Sequence, residues 1–478
     1  MNFRVILNTL GWVLNCEGVC MILPLICAFA YGESDIYTFL ICMSICFFFG
    51  FLLLSIKPKN RNMYAREGFI IAALSWILIT IFGALPYLIS GSIPSVIDAI
   101  FETASGFTTT GASILSDVEA LPKSVLMWRS FSHWIGGMGV LVFLIAFLPL
   151  SGGNNVYMIK AESPGPSVSK LVPKVRTTAK ILYSIYLGMT IIQIIILLLS
   201  GMELFDALTL TFGTAGTGGF AVKNSGLANY TSFQQIVITV FMILFGVDFT
   251  FYYLILRKDI KSALKMEEVR TYFGIIVLAI ILISINCFNL YPTLFDNIKH
   301  TAFQVGSLVT TTGYSTVDFD LWPEFSKVIV ILLMFSGACA GSTGGGIKVS
   351  RIAIFIKSIF KEIKIAARPR TTHKVKFNGK AVKHEVIRVV NVYMAAYILI
   401  FFLSVLIISI DNFDFTTNFT SVLATMNNIG PGLSEVGPVK NFSIYSSLSK
   451  IVLTLNMLIG RLEIFPFLIL VSPQAWKK

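Results

Sequence analysis

Apolar residues run along this chain in blocks of about 20, long enough to cross roughly 30 Å of hydrocarbon. Short polar or basic stretches separate them from end to end. Blocks at 3–31 and 37–56 form a pair, joined by a tight turn that carries Glu33 and Asp35. From residue 69 the pattern changes to a triplet: a long apolar block, a short amphipathic segment, then another long block. The triplet recurs at 69–90, 98–113 and 125–150; at 181–200, 204–212 and 233–256; at 272–290, 295–308 and 325–355; and at 389–410, 413–426 and 451–470. This pattern predicts an all-α polytopic membrane protein: two N-terminal spans, then four pseudo-repeated span–short helix–span units around one axis. The expected divisions are 1–66, 67–152, 175–258, 268–357, a linker at 358–384, and 385–478.

The four short segments each end in a turn, and the turns resemble one another. They read ETASGFTTTGAS, TFGTAGTGGFAV, QVGSLVTTTGYS and ATMNNIGPGLSE, each after a helix that opens with an acid: Asp98, Asp206, Asp296 and Asp414. The glycines that align are Gly111, Gly218, Gly313 and Gly430. A cation leaving water needs a shell of oxygens, and successive carbonyls supply it only if they point one way. Glycine permits the positive φ this requires. A threonine before it adds a hydroxyl on a stiff side chain. The preceding helix turns its partial negative end toward the axis. The candidate cation-coordinating residues are therefore Thr109, Thr110, Gly111, Thr217, Gly218, Thr311, Thr312, Gly313, Asn428, Ile429 and Gly430. The fourth turn has Asn427, Asn428 and Ile429 where others have Thr or Gly, so four-fold symmetry is broken and discrimination between cations is expected to be poorer.

Composition sharpens the membrane reading. Of 478 residues, 55% are hydrophobic and only 13% charged, against roughly 25% charged in soluble proteins. The net charge of +12 would suit nucleic acid, but Lys and Arg gather in the short loops between spans. That distribution marks orientation, with the basic loops and both termini cytoplasmic. The other side collects acids, among them Glu33, Asp98, Glu102, Asp117, Glu119, Asp206 and Glu435, and a negative mouth would concentrate cations. The seven cysteines lie in or beside apolar blocks and read as small apolar residues, with no disulfide framework. The first residues lack a signal-peptide cleavage pattern and read as a retained first span. The four histidines, His133, His300, His373 and His384, show no metal spacing, and no nucleophile–base set supports an enzyme.

Two features lie below the turns. Residues 337–346, GACAGSTGGG, interrupt the 325–355 block with five glycines, each costing about 1 kcal/mol in a helix. Non-helical backbone at that depth is tolerated only when buried in protein or lining a cavity. Gly341, Ser342, Thr343, Gly344, Gly345 and Gly346, with Lys348 at the exit, are therefore expected to form a movable gate. A phosphate-binding loop is excluded by pattern: after G-x-x-x-x-G come Ile347, Lys348 and Val349, so the lysine is late and the Ser/Thr missing. Arg461, inside the last block, costs about 2.5–3.5 kcal/mol near a midplane. It is expected to meet the glycine loop's carbonyls or to project into the pore. Lys348 would act similarly or reach for the cytoplasmic surface.

These motifs carry a family resemblance over nearly the whole chain. WRSFSHWIGGMG at 128–139, SGACAGSTGGGIKVSR at 336–351 and GRLEIFP at 460–466 resemble the TrkH/KtrB family of microbial potassium-uptake subunits. The two extra N-terminal spans fit its TrkH branch. The resemblance implies a four-fold pseudosymmetric pore with one filter glycine per unit and an intramembrane loop blocking it. It also implies a gating role for Arg461, a plasma-membrane homodimer, and a TrkA-type ring of nucleotide-binding domains as cytosolic partner. It implies no cofactor, and K⁺ as the transported ion, because Gly111 stands where plant sodium carriers have serine. A Na⁺-coupled K⁺ symporter or Na⁺ carrier is the alternative. Anionic lipid contact accounts for the basic loops as well as partner docking does. Asp248 departs from the neutral amide the family leads one to expect and is either a candidate cation site in the cytoplasmic vestibule or a carboxylate paired with a neighbouring donor.

Overall fold

The computed structural model describes residues 1–58, 64–139, 175–369 and 371–476. The later part of the 125–150 block, the basic loop with Lys160, Lys170 and Lys174, and Lys59, Arg61 and Arg370 lie outside these residues. Among the described residues, six helices are long and apolar enough to cross a membrane. They are Phe3–Tyr31, Ile36–Leu54, Ala65–Ile89, Thr177–Leu199, Glu267–Asn286 and His384–Asp411. These are the two N-terminal spans and the first span of each unit. Their outward residues, such as Leu199 at 83% and Leu399 at 72% exposure, form the apolar surface a bilayer would cover.

The four short helices are Val96–Phe107, Leu204–Gly216, Leu294–Val309 and Phe415–Met426. Capping explains where three of them begin. The side chains of Ser95, Thr293 and Asp414 accept first-turn N–H groups from Asp98, Asp296 and Thr417. Asp98, Asp206 and Asp296 sit in the first turn, where negative charge meets the helix's positive end. Lysines answer these acids: Lys450 lies 2.6 Å from Asp98, Lys223 3.5 Å from Asp206 and Lys299 3.1 Å from Asp296.

The second helix of each unit corrects an expectation. The sequence predicts an interruption in the third unit alone. The described chain breaks in the second, third and fourth units, and in the first its helix stops short where the described residues end. Lys123–Gly137 ends before Gly139, whose φ is 84°. Ser232–Phe245 and Phe249–Leu256 meet at 91°, and Ser447–Arg461 and Phe465–Val471 at 119°. Glu324–Ser336 and Val349–Ala367 flank the glycine loop. Packing closes a ring. The second helix of the first unit lies on the short helix of the second. Second packs on third, third on fourth, and Ser447–Arg461 returns to Val96–Phe107.

The basic stretch is not one linker. Helix Val349–Ala367 continues through its first part, and His384 already opens the next span. Between them lies a hairpin, Lys376–Phe377 against Lys380–Ala381, turned by Asn378 and Gly379 with φ of 51° and 74°, the Asn-Gly chemistry of a tight hairpin. Asn378 exchanges hydrogen bonds with Glu267 at the start of the third unit's first span, its side chain accepting at 2.7 Å and its N–H donating at 3.1 Å.

Candidate functional site

Each short helix stops in the same way. Thr109, Thr217, Thr311 and Asn428 take a left-handed φ of 55–60°. Their N–H groups return to the carbonyl three residues back at 3.1–3.3 Å, and the next N–H bonds the carbonyl five residues back at 2.8 Å in all four turns. This is the Schellman ending usually built on glycine. Placing a β-branched threonine there costs of order 1–3 kcal/mol. The strain recurs in three turns, so it is systematic. Two residues later a glycine again takes positive φ: Gly111 at 79°, Gly219 at 78°, Gly313 at 85° and Gly430 at 103°.

The second unit is thus in a different register from the sequence alignment. Gly219, not Gly218, is the counterpart of Gly111, Gly313 and Gly430. Gly218 instead matches Thr110, Thr312 and Ile429. The close contacts give the same answer. A Cβ on Gly111 would stand 2.1 Å from the carbonyl oxygen of Gly218, and one on Gly219 would stand 1.9 Å from that of Thr312. One on Gly313 would stand 2.1 Å from that of Ile429, and one on Gly430 2.9 Å from that of Thr110. Four glycines and four carbonyls therefore form a closed ring, loosest at the join between the fourth and first turns. A cavity of about 240 Å³ opens above it, lined by Gly111, Gly219, Gly313 and Gly430.

Side chains far apart in sequence lock the ring from behind. Glu102, read above as a mouth acid, is fully buried. It accepts from the Ser113 hydroxyl and the Ile114 N–H at 3.0 Å and pairs with Arg129 at 2.6 Å. Arg129 also donates to the Ala221 carbonyl at 2.9 Å, tying the first turn's exit to the second's. The Tyr314 hydroxyl donates to Leu210 at 3.1 Å, joining units three and two. The Asn428 amide donates to Thr110 Oγ1 and to the Met457 carbonyl, both at 2.9 Å, joining four and one. Arg129 lay within a quoted motif but had no visible partner, since Glu102 is 27 residues away.

The glycine loop lies directly beneath the ring. Gly345 donates its N–H to Thr311 Oγ1 at 2.7 Å, and a Cβ there would stand 2.4 Å from the Asn427 carbonyl. The Thr343 hydroxyl donates to the Phe245 carbonyl at 3.2 Å. Glu268 accepts from the N–H groups of Ala340 at 2.7 Å and Ser350 at 3.1 Å, pinning both flanks. Lys348 is only 2% exposed and its ammonium donates to the Gly344 carbonyl. It does not reach the cytoplasmic surface. Gly341 and Gly346 carry φ of 78° and 76°. Gly341 accepts from the Phe249 N–H at 3.1 Å, beside Asp248, whose carboxylate caps the following helix by accepting from Thr250 at 2.8 Å. Ser342 closes a local turn on Cys339.

Arg461 ends its helix, a position that favours a cation. Its Nη1 donates to the Thr343 carbonyl at 2.8 Å, and its Nη2 to those of Gly136 and Gly137 at 2.6 and 2.7 Å. Glu463 turns away and pairs with Arg351, whose guanidinium sits 4.3 Å from the Tyr393 ring centroid.

Two N-terminal spans followed by four units, each returning a short helix to one ring, define a helical membrane protein whose single chain arranges four units around one axis. The chain belongs to the TrkH family, whose profile, described as a cation transport protein, matches residues 36–478. It is similar to the Trk system potassium uptake protein TrkH of Vibrio parahaemolyticus, with 34% identity over 499 residues and 100% of each chain covered. The protein of the same name from Escherichia coli K12 is 33% identical over 490 residues, again with 100% of each covered. The crystal structure of the potassium transporter TrkH from Vibrio parahaemolyticus superposes with a TM-score of 0.90 at 32% identity, covering 100% of both chains.

Proposed function

We propose that this chain is a potassium-permeable uptake subunit of a microbial plasma membrane, driven by membrane potential. The observation that carries the reading is the ring in which the carbonyls of Thr110, Gly218, Thr312 and Ile429 each abut the preceding unit's positive-φ glycine. Carbonyls so aligned replace an alkali cation's water. The loop 341–346, held by Lys348 and Arg461, closes the path below the ring, and its displacement opens it. Asp248, at the loop's edge, serves as a cation site in the cytoplasmic vestibule. The basic loops face the cytoplasm with both termini. The helix Val349–Ala367 and the hairpin at 376–381 offer a basic surface to a TrkA-type nucleotide-binding regulator, and the subunit works as a homodimer; both statements rest on family membership. Purified chain in proteoliposomes should take up Rb⁺ under a membrane potential with no Na⁺ gradient, in competition with K⁺. Uptake that requires a Na⁺ gradient would replace this reading with ion-coupled symport.

A further inference from the structure

The second turn departs from the repeat. In the first and third turns a pair of hydroxyls braces the bend: Thr108 Oγ1 lies 2.8 Å from Thr110 Oγ1, and Thr310 Oγ1 lies 2.8 Å from Thr312 Oγ1. The matching positions of the second turn are Gly216 and Gly218, so both hydroxyls are missing. Their space is filled from elsewhere. A Cβ on Gly218 would stand 2.2 Å from Cγ and Nδ1 of His133, and one on Gly216 would stand 2.2 Å from the His133 carbonyl oxygen. Two glycines thus make room for one histidine.

That histidine is fully buried, and both ring nitrogens are engaged. Nδ1 lies 2.7 Å from the carbonyl oxygen of Gly106, in the last turn of the first short helix. Nε2 lies 3.3 Å from the backbone nitrogen of Phe220, just past the second ring glycine. A carbonyl only accepts and a backbone N–H only donates, so the proton sits on Nδ1 and Nε2 accepts. The imidazole also packs on the Phe220 ring at 4.3 Å between centroids. Arg129, four residues earlier on the same helix, covers the same phenyl ring at 3.5 Å.

We propose that His133 is a specificity-determining positioning residue, an imidazole standing in for the missing threonine pair, which fixes the Gly218 carbonyl in the ring and so sets which alkali cation the ring fits. The proposal rests on the potassium reading above. His133 touches no ion and acts through Gly218 and Phe220. Selectivity is a difference between two ions' fit, so a loosened carbonyl alters the ratio of two fluxes more than their sum.

A double-mutant cycle on the full chain in proteoliposomes tests this, reading Rb⁺ and Na⁺ flux separately. His133→Ala should lower the Rb⁺/Na⁺ ratio roughly tenfold, the scale of one or two lost neutral hydrogen bonds, while cation flux persists. Gly218→Thr alone should also impair the ratio, because its side chain is driven into the imidazole. Gly218→Thr in the His133→Ala background should recover most of it, since the threonine enters the vacated space. A merely structural role gives additive losses instead. His133→Asn, which can reach Gly106 but not Phe220, should fall between wild type and His133→Ala. An unchanged ratio in either single His133 variant, or additive losses in the double variant, would overturn the proposal. A wild-type chain that passes no Rb⁺ would sink the potassium reading itself, a separate result.

Discussion

Removing the Arg461 guanidinium tests the closed loop most directly. One side chain at the end of the fourth unit's helix bonds Thr343 of the third unit's loop and Gly136 and Gly137 at the end of the first unit's helix. A hydrogen bond from a charged donor contributes about 1.5–3 kcal/mol. Losing the Thr343 bond alone would raise the population of displaced loops roughly ten- to hundredfold. A second effect has the same sign. A cation passing roughly 6 Å from the guanidinium is repelled by about 3 kcal/mol at an effective dielectric near 20. Arg461→Ala removes both effects, whereas Arg461→Lys keeps the charge and loses the planar fork. Glu463 stays paired with Arg351, so neither variant orphans a carboxylate. Partner-free Rb⁺ uptake into proteoliposomes should rise from wild type to Lys to Ala, with the last at least about tenfold above the first. An Arg461→Ala protein that elutes as a folded species and passes Rb⁺ at the wild-type rate would refute the reasoning.

Glu268→Ala removes the one carboxylate oxygen on which two N–H groups converge; partner-free Rb⁺ uptake should rise several-fold, and thermal unfolding should report a loss of about 1–3 kcal/mol. Gly219→Ala places a methyl 1.9 Å from the Thr312 carbonyl oxygen at a φ of 78°, so Rb⁺ uptake should be abolished at normal protein yield. Asp248→Asn keeps a good helix cap, so stability should hold within a few tenths of a kcal/mol; a raised half-saturation for Rb⁺ supports the vestibule site, and unchanged flux and half-saturation remove it.

The long spans were legible because a bilayer demands about 20 apolar residues whatever the fold, and the first spans of all four units overlap their predicted blocks, each beginning four or five residues earlier. The short helices were legible from their acidic starts and their Thr and Gly endings. Register in the second turn was not. Gly218 and Gly219 are the same residue type, and only the left-handed φ of 56° at Thr217 tells which one follows two places later. The breaks at 246–248 and 462–464 were hidden for another reason. A bent span and a straight one have the same hydropathy, and Ile464, at a φ of 69°, is a residue no turn rule would choose. Glu102 misled because an acid's burial is decided by its partner, and Arg129 comes from another helix.

The ring and the loop beneath it are held by different kinds of bond. The turns end in backbone-to-backbone hydrogen bonds repeated in every unit, so moving a ring carbonyl means unwinding a helix end. Residues 343–345 of the loop instead meet other elements through side chains: Thr343 with Phe245 and Arg461, Gly345 with Thr311, and Gly344 with Lys348. A side chain can change rotamer and partner without loss of secondary structure, on far shorter timescales than a helix end unfolds. On the proposed reading, this lets the loop swing while the ring keeps its dimensions. Gating and ion choice then answer to separate residues, Arg461 and Glu268 on one side, His133 and Gly218 on the other. The variants above should divide accordingly, with flux changing at constant ratio in the first group and ratio changing in the second.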